Sequence, residues 1–160
     1  IELGLVGSEM CIRDRNCIKD FDEGKSESVE NNKPILLDFT GWACANCRRV
    51  EENTWSEPKV YDMINNEFIL ISLYVDDRSD LNQDQIIILT DKNGNEKTLK
   101  KVGEKWSAFQ TINFKNNSQP YYVLLSPNLE VLNKPIQYTD TDTYQSWLSE
   151  GLENFKKNYK

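Results

Sequence analysis

Apolar density along the chain separates central strands from helices. Residues 34–40, "PILLDFT", and 68–77, "FILISLYVDD", are runs of apolar and β-branched residues of strand length, which predicts two central strands covered on both faces. Between them, "CANCRRVEENTW" is built of strong helix formers with no Gly or Pro, so a helix is expected to start near Cys44. Ser56-Glu57-Pro58 then punctuates: Ser56 can cap, Pro58 suits a first turn, and "KVYDMINN" carries a second helix. Ahead of the first strand, residues 20–32 are polar and read as a short amphipathic helix ending at Asn31-Asn32-Lys33-Pro34.

After Asp80 the pattern changes. "QIIILT" and "EKTLKKV" flank "DKNGNE", where Asn93-Gly94 is a strong hairpin-turn signal. "GEKWSAFQTINF" predicts a helix, "QPYYVLLSP" a strand entered through Pro120, and "PNLEV" a turn into "VLNKPI", giving a terminal hairpin. Over 142–159, Tyr144, Trp147, Leu148, Leu152, Phe155 and Tyr159 fall on one helical face, with Lys156, Lys157 and Lys160 near the end that suits cations. Parallel strands joined by crossover helices, then an antiparallel hairpin and a closing helix, predict an α/β sandwich: a central mixed sheet flanked by helices, with a hairpin and helix inserted at about 82–113.

The first fifteen residues, "IELGLVGSEMCIRDR", have neither helical nor strand periodicity, and "VGSEMCIRDR" resembles a translated sequencing-adapter remnant. Residues 1–17 are therefore read as a disordered or artefactual tail, with a native linker as the plain alternative, and 18–160 as one domain; buried side chains at Leu3, Leu5 and Ile12 would contradict the artefact reading.

Composition narrows the function. Hydrophobic content of 38% with 11% aromatic fits a soluble globular chain. A net charge of −7 argues against nucleic acid and anionic membrane surfaces as partners. No run approaches the ~18 apolar residues of a membrane span, so no membrane insertion of this chain is expected, and an export signal would have to lie outside it. With no histidine, Ser-His-Asp and Cys-His catalysis and any His-ligated metal site are excluded.

The four cysteines are Cys11, Cys17, Cys44 and Cys47. A Cys-x-x-Cys pair after a strand and at a helix start places the first sulfur against unpaired N–H groups, which favour its thiolate. The second lies one turn inside, in position to resolve a mixed disulfide. Cys44 is thus the expected nucleophile and Cys47 the resolving thiol. Zinc would need a second ligand pair, and only Cys11 and Cys17, six apart in the doubtful tail, are on offer. A purely structural disulfide would close too short a loop to stabilise much. Cys17 is read as a bystander thiol or a half-buried small apolar residue.

Asp38 interrupts an apolar strand, and a carboxylate there is costly unless it is solvated, paired or used. Six residues before Cys44, it is expected beneath the dithiol, disfavouring the thiolate by repulsion and moving protons during exchange. Glu51, seven residues after Cys44 and two turns along the same helical face, could act likewise; an exposed strand-end aspartate and a surface glutamate are the plain alternatives. Pro120 after Gln119 is a candidate cis-proline that would lay backbone beside the dithiol. Trp42 is a candidate contact surface for partner polypeptides, although it and Trp55 could equally be core; Tyr121 and Tyr122 read as packing.

Together "KPILLDFTGWACANCRRVEENTWSEPKV", "FILISLYVDD" and "SQPYYVLL" resemble the C-terminal thioredoxin-like domain of the DsbD thiol:disulfide interchange family, particularly Bacteroidetes-type relatives, over roughly residues 18–158. The resemblance implies a thioredoxin fold facing the periplasm, following a polytopic membrane domain that passes on electrons from cytoplasmic thioredoxin. Such a domain reduces an acceptor domain that feeds disulfide isomerases and cytochrome c maturation. By position, Cys44 and Cys47 match the redox pair, Pro120 the cis-proline, and Asp38 and Glu51 the two acids that tune the attacking thiol. Neither partner domain falls within these 160 residues, and the 82–113 insertion exceeds what a minimal thioredoxin needs.

The expected activity is therefore protein-disulfide reduction, with protein thiols and disulfides as partners and no metal or cofactor, because sulfur carries the electrons. Two alternatives stay open: a non-catalytic adaptor or metallochaperone binding through residues 42–47, and a free-standing soluble thioredoxin-type reductase. Cys-Ala-Asn-Cys does not state the direction of electron flow; only family analogy, from the lack of His or Pro between the cysteines, leans away from a strong oxidant.

Overall fold

The computed structural model describes residues 17–159, so the adapter-like stretch, Leu3, Leu5, Ile12 and Lys160 lie outside the described residues. The elements run α1 (Phe21–Asn31), β1 (Ile35–Thr40), α2 (Ala45–Asn53), α3 (Pro58–Glu67), β2 (Ile69–Tyr74), a 3-10 turn (Gln83–Gln85), β3 (Ile87–Thr90), β4 (Glu96–Leu99), α4 (Val102–Phe114), β5 (Tyr121–Leu125) and α5 (Thr141–Asn158).

β1 is the middle strand of a mixed sheet ordered β2-β1-β5. It runs parallel to β2, from Ile35 beside Ile69 to Thr40 beside Tyr74, and antiparallel to β5, from Ile35 beside Leu125 to Phe39 beside Tyr121. All six β1 residues are buried, as an unbroken apolar run requires. The strand's period of two sorts them. Ile35, Leu37 and Phe39 pack with Phe21 of α1 and Trp106 of α4, while Leu36 packs with Val50, Ile64, Tyr144 and Leu148 of α2, α3 and α5. Asp38 and Thr40 are in phase with Leu36 and so belong to the α2 face.

The inserted β3–β4 hairpin forms its own two-stranded sheet, closed where Asp91 Oδ1 accepts from the N–H of Asn93 and Asn95 and Gly94 adopts φ +86°. α4 then starts hard against the end of β2: a Cβ on Gly103 would lie 2.5 Å from the Val75 carbonyl oxygen. Among the described residues no helix is long and apolar enough to cross a membrane.

Three expectations need correction. Ser56 does not cap α3: its hydroxyl donates to the Glu52 carbonyl of the preceding helix, and Glu57 occupies the cap without a side-chain bond. The terminal hairpin has no second strand, only bridges pairing Leu125 with Val131 and Tyr122 with Ile136. Between them Pro135 has no N–H, and α5 takes the polar groups: Trp147 Nε1 donates to the Lys134 carbonyl, and Asn133 Nδ2 to that of Trp147. Cys17 is half-buried but is not a free thiol; it is disulfide-bonded.

Candidate active site

β1 ends at Thr40, residues 42 and 43 turn, and Cys44 is the N-cap of α2. Its Sγ accepts the Cys47 N–H at 3.2 Å, the bond that a capping side chain makes to the third helical residue. Cys44 and Cys47 are joined by a disulfide, with Cα atoms 5.2 Å apart. Cys44 is half-buried and Cys47 only 1% exposed, so an incoming group meets Cys44 first. No acidic residue occupies the first turn of α2, leaving its positive end uncompensated.

The turn is held at several points that sequence reading did not single out. Asp76, just beyond β2, accepts from the Trp42 N–H at 2.8 Å and the Ala43 N–H at 3.1 Å. Arg48 donates to the Trp42 carbonyl at 3.2 Å and to Thr40 Oγ1 at 3.1 Å. Trp42 is 37% exposed and stacks on Tyr74 with centroids 4.0 Å apart, while Lys19 Nζ lies 5.1 Å from its ring centroid. It is a semi-exposed surface rather than core. Trp55 is core, donating its indole N–H to the Tyr144 hydroxyl at 2.9 Å.

Behind the turn lies a buried charge cluster. Asp38 is 1% exposed; Oδ2 accepts from the Ser72 hydroxyl at 3.0 Å, and Oδ1 has no hydrogen-bond partner among the described residues. Glu51 is 5% exposed and accepts from Arg48 at 2.8 Å. Burial pushes the Asp38 carboxyl up to about 7, against the pull of Ser72 and Arg48. Glu51 rises to about 8 through burial and then the charge of Asp38, with Arg48 opposing. Tyr74 and Tyr122 are also raised, mainly by burial, with both acids contributing. Arg48 thus links the acids to the turn that carries Cys44, on the face chosen by the phase of β1.

The Gln119–Pro120 peptide bond is cis, and Pro120 is buried. β5 pairs antiparallel with β1, and Tyr121 lies beside Phe39, so one step further brings Pro120 to the level of Thr40. The proline and the dithiol turn therefore share one end of the sheet. Gln119 donates to Gln110 Oε1 at 2.9 Å. Tyr121 and Tyr122 are buried packing residues. Among the described residues no group of three or more Cys, Asp or Glu side chains is arranged to hold a metal ion.

Arg48, Ser72, Tyr74, Asp76 and Gln110 were the residues sequence reading passed over. Asp76 carried a signal, an acid just beyond a buried apolar strand; the others look like ordinary polar positions until the fold gathers them.

A family described as thioredoxin-like matches residues 16–127. The thiol:disulfide interchange protein DsbD of Campylobacter jejuni strain RM1221 is 38% identical over 69 residues, 43% of this chain but 12% of that protein, so the chain spans only a small part of this relative's length. The DsbH oxidoreductase has a similar fold, with TM-score 0.60 and 14% identity over 85% of this chain and 83% of its own. So does the reduced C-terminal domain of DsbD from Neisseria meningitidis, with TM-score 0.56 and 12% identity over 81% and 91% of the two chains. With a mixed sheet between helices and a Cys-x-x-Cys disulfide capping the helix after its central strand, the chain belongs to the thioredoxin-like family.

Proposed function

We propose that this domain is a protein-disulfide reductase of the periplasm, taking electrons from a membrane-embedded donor domain and passing them to disulfides of partner proteins. The observation that carries the reading is the Cys44–Cys47 disulfide itself, with one sulfur half-buried at a helix cap and the other enclosed one turn inside. In the reduced protein, the Cys44 thiolate attacks a partner disulfide, forming a mixed disulfide and releasing one partner thiolate. Cys47 loses its proton and attacks Cys44, forming the Cys44–Cys47 bond and releasing the second partner thiolate. Two electrons leave the domain, and both partner sulfurs end as thiols. No metal or cofactor enters this scheme.

The buried acids support the reducing direction. An oxidant of this chemistry stabilises its thiolate, whereas Asp38 and Glu51, once ionised above about 7 and about 8, put negative charge behind the turn that carries Cys44, which opposes the thiolate and favours the disulfide. Their high pKa values also let Asp38 and Glu51 hold a proton near neutral pH, which exchange consumes and returns. The 38% identity to a DsbD segment supports the periplasmic setting and a membrane donor.

Insulin reduction with dithiothreitol as electron source tests the chemistry. Cys44→Ser loses the acceleration, and Cys47→Ser accumulates a mixed disulfide; wild-type turnover by Cys44→Ser removes the assignment. Direction is read from equilibrium with dithiothreitol, where a potential on the order of −200 to −300 mV is expected and one near −120 mV would reverse the proposed flow.

A further inference from the structure

Gln110 has no part in the sulfur chemistry, yet it is wholly buried on α4, in the inserted part of the chain. A buried carboxamide must satisfy two donor hydrogens and an acceptor oxygen, or each unmet group destabilises the fold. All of Gln110's bonds go to one short segment. Nε2 donates to Asn116 Oδ1 at 3.1 Å and to the Ser118 carbonyl at 2.8 Å; Oε1 accepts from Gln119 Nε2 at 2.9 Å. Asn116 Oδ1 also accepts from the backbone N–H and the hydroxyl of Ser118, each at 2.8 Å. Lys115, at φ +53°, ends the helix and turns the chain back toward that side chain.

Residues 116–119 therefore have a conformation dictated from within α4, and they lead directly into Pro120 at the level of the dithiol turn. None of these bonds reaches Cys44 or Cys47. What they fix is a piece of main chain next to where a partner's disulfide must be presented. The Ser118 carbonyl is held by Gln110 and its N–H by Asn116, while Gln119 beyond it is half-buried.

We propose that Gln110 is a positioning residue for polypeptide recognition, pre-ordering residues 116–119 so that a partner segment carrying the disulfide docks along the main chain of Gln119. This rests on the reductase reading above. Pre-ordering removes an entropic cost that binding would otherwise bear, and it applies only to a substrate that uses the main chain. A small disulfide with no peptide backbone needs only Cys44.

The experiment compares insulin with dithiobis-nitrobenzoate as electron acceptors. Gln110→Met keeps the volume and removes all three bonds. It is expected to raise KM for insulin roughly fivefold to tenfold with kcat within about twofold, the equivalent of one to two hydrogen bonds. The insulin-to-dithiobis-nitrobenzoate ratio of kcat/KM falls by the same factor. Asn116→Ala, on the outer side of the network, shifts the ratio in the same direction by less and decides the matter if Gln110→Met does not fold. Equal losses on both acceptors, or an insulin KM that neither folded variant moves, overturn the role of Gln110 while leaving the reductase reading intact. Wild-type protein inactive on both acceptors removes that reading and this inference together.

Discussion

Asp38 and Glu51 make stability depend on pH in an uncommon direction. Surface acids usually gain from being charged in the fold; these two lose. Asp38 rises from 3.8 to about 7, so the folded chain keeps a proton that the unfolded chain has released. By linkage, stability falls with rising pH wherever the folded state binds more protons, here from about pH 4 until Asp38 ionises near 7. At up to 1.36 kcal/mol per pH unit, a slope that fades as Asp38 ionises, Asp38 alone removes about 2 kcal/mol between pH 5 and pH 7. Glu51, raised from 4.5 to about 8, acts in the same direction and extends the decline toward pH 8. Asp80, Asp91, Glu104 and Asp140 are lowered by their hydrogen bonds and act oppositely at more acid pH, so the window above pH 5 isolates the buried pair. Guanidinium unfolding of the oxidised protein, followed by the fluorescence of Trp55, Trp106 and Trp147, measures this directly. Asp38→Asn abolishes one proton's share and, by removing the charge that repels Glu51, shrinks the other, so its slope is at most about half that of wild type. A wild-type protein whose stability is flat or rises over this interval, or an Asp38→Asn protein with an undiminished slope, would refute the reasoning.

Three further outcomes follow from geometry alone. Asp76→Ala frees the N–H groups of Trp42 and Ala43, so their amide exchange should quicken by roughly tenfold while that of β1 stays as in wild type, a loss of about 1 kcal/mol in local protection. Gly103→Ala pushes a methyl group into the backbone of Val75 and Asp77 and should cost about 2–3 kcal/mol in thermal unfolding. Gly94→Ala, with open space around it but φ +86°, should cost about 1 kcal/mol.

The parts of the fold legible in the sequence were those set by uniform runs. β1 and β2 declare themselves because a strand buried on both faces has no polar alternation, and α5 because its aromatic residues recur at helical spacing. Boundaries set by competition for hydrogen bonds were not legible. Ser56 has the chemistry of a cap, but a carbonyl of the previous turn was nearer. The segment after Leu125 has strand-like residues, but α5 draws off their partners. In the site, Cys44, Cys47, Asp38 and Pro120 stand out because each breaks a local pattern. Arg48 and Gln110 break none; their importance comes from what lies across the fold from them, which spacing along one chain does not encode.

The enclosure of Cys47 sets a clock. At 1% exposure it meets no partner and no external thiol, so only Cys44, within its own helix turn, can receive its attack. In the proposed exchange the first step would scale with partner concentration, whereas release by Cys47 would be first-order, its rate set within this chain.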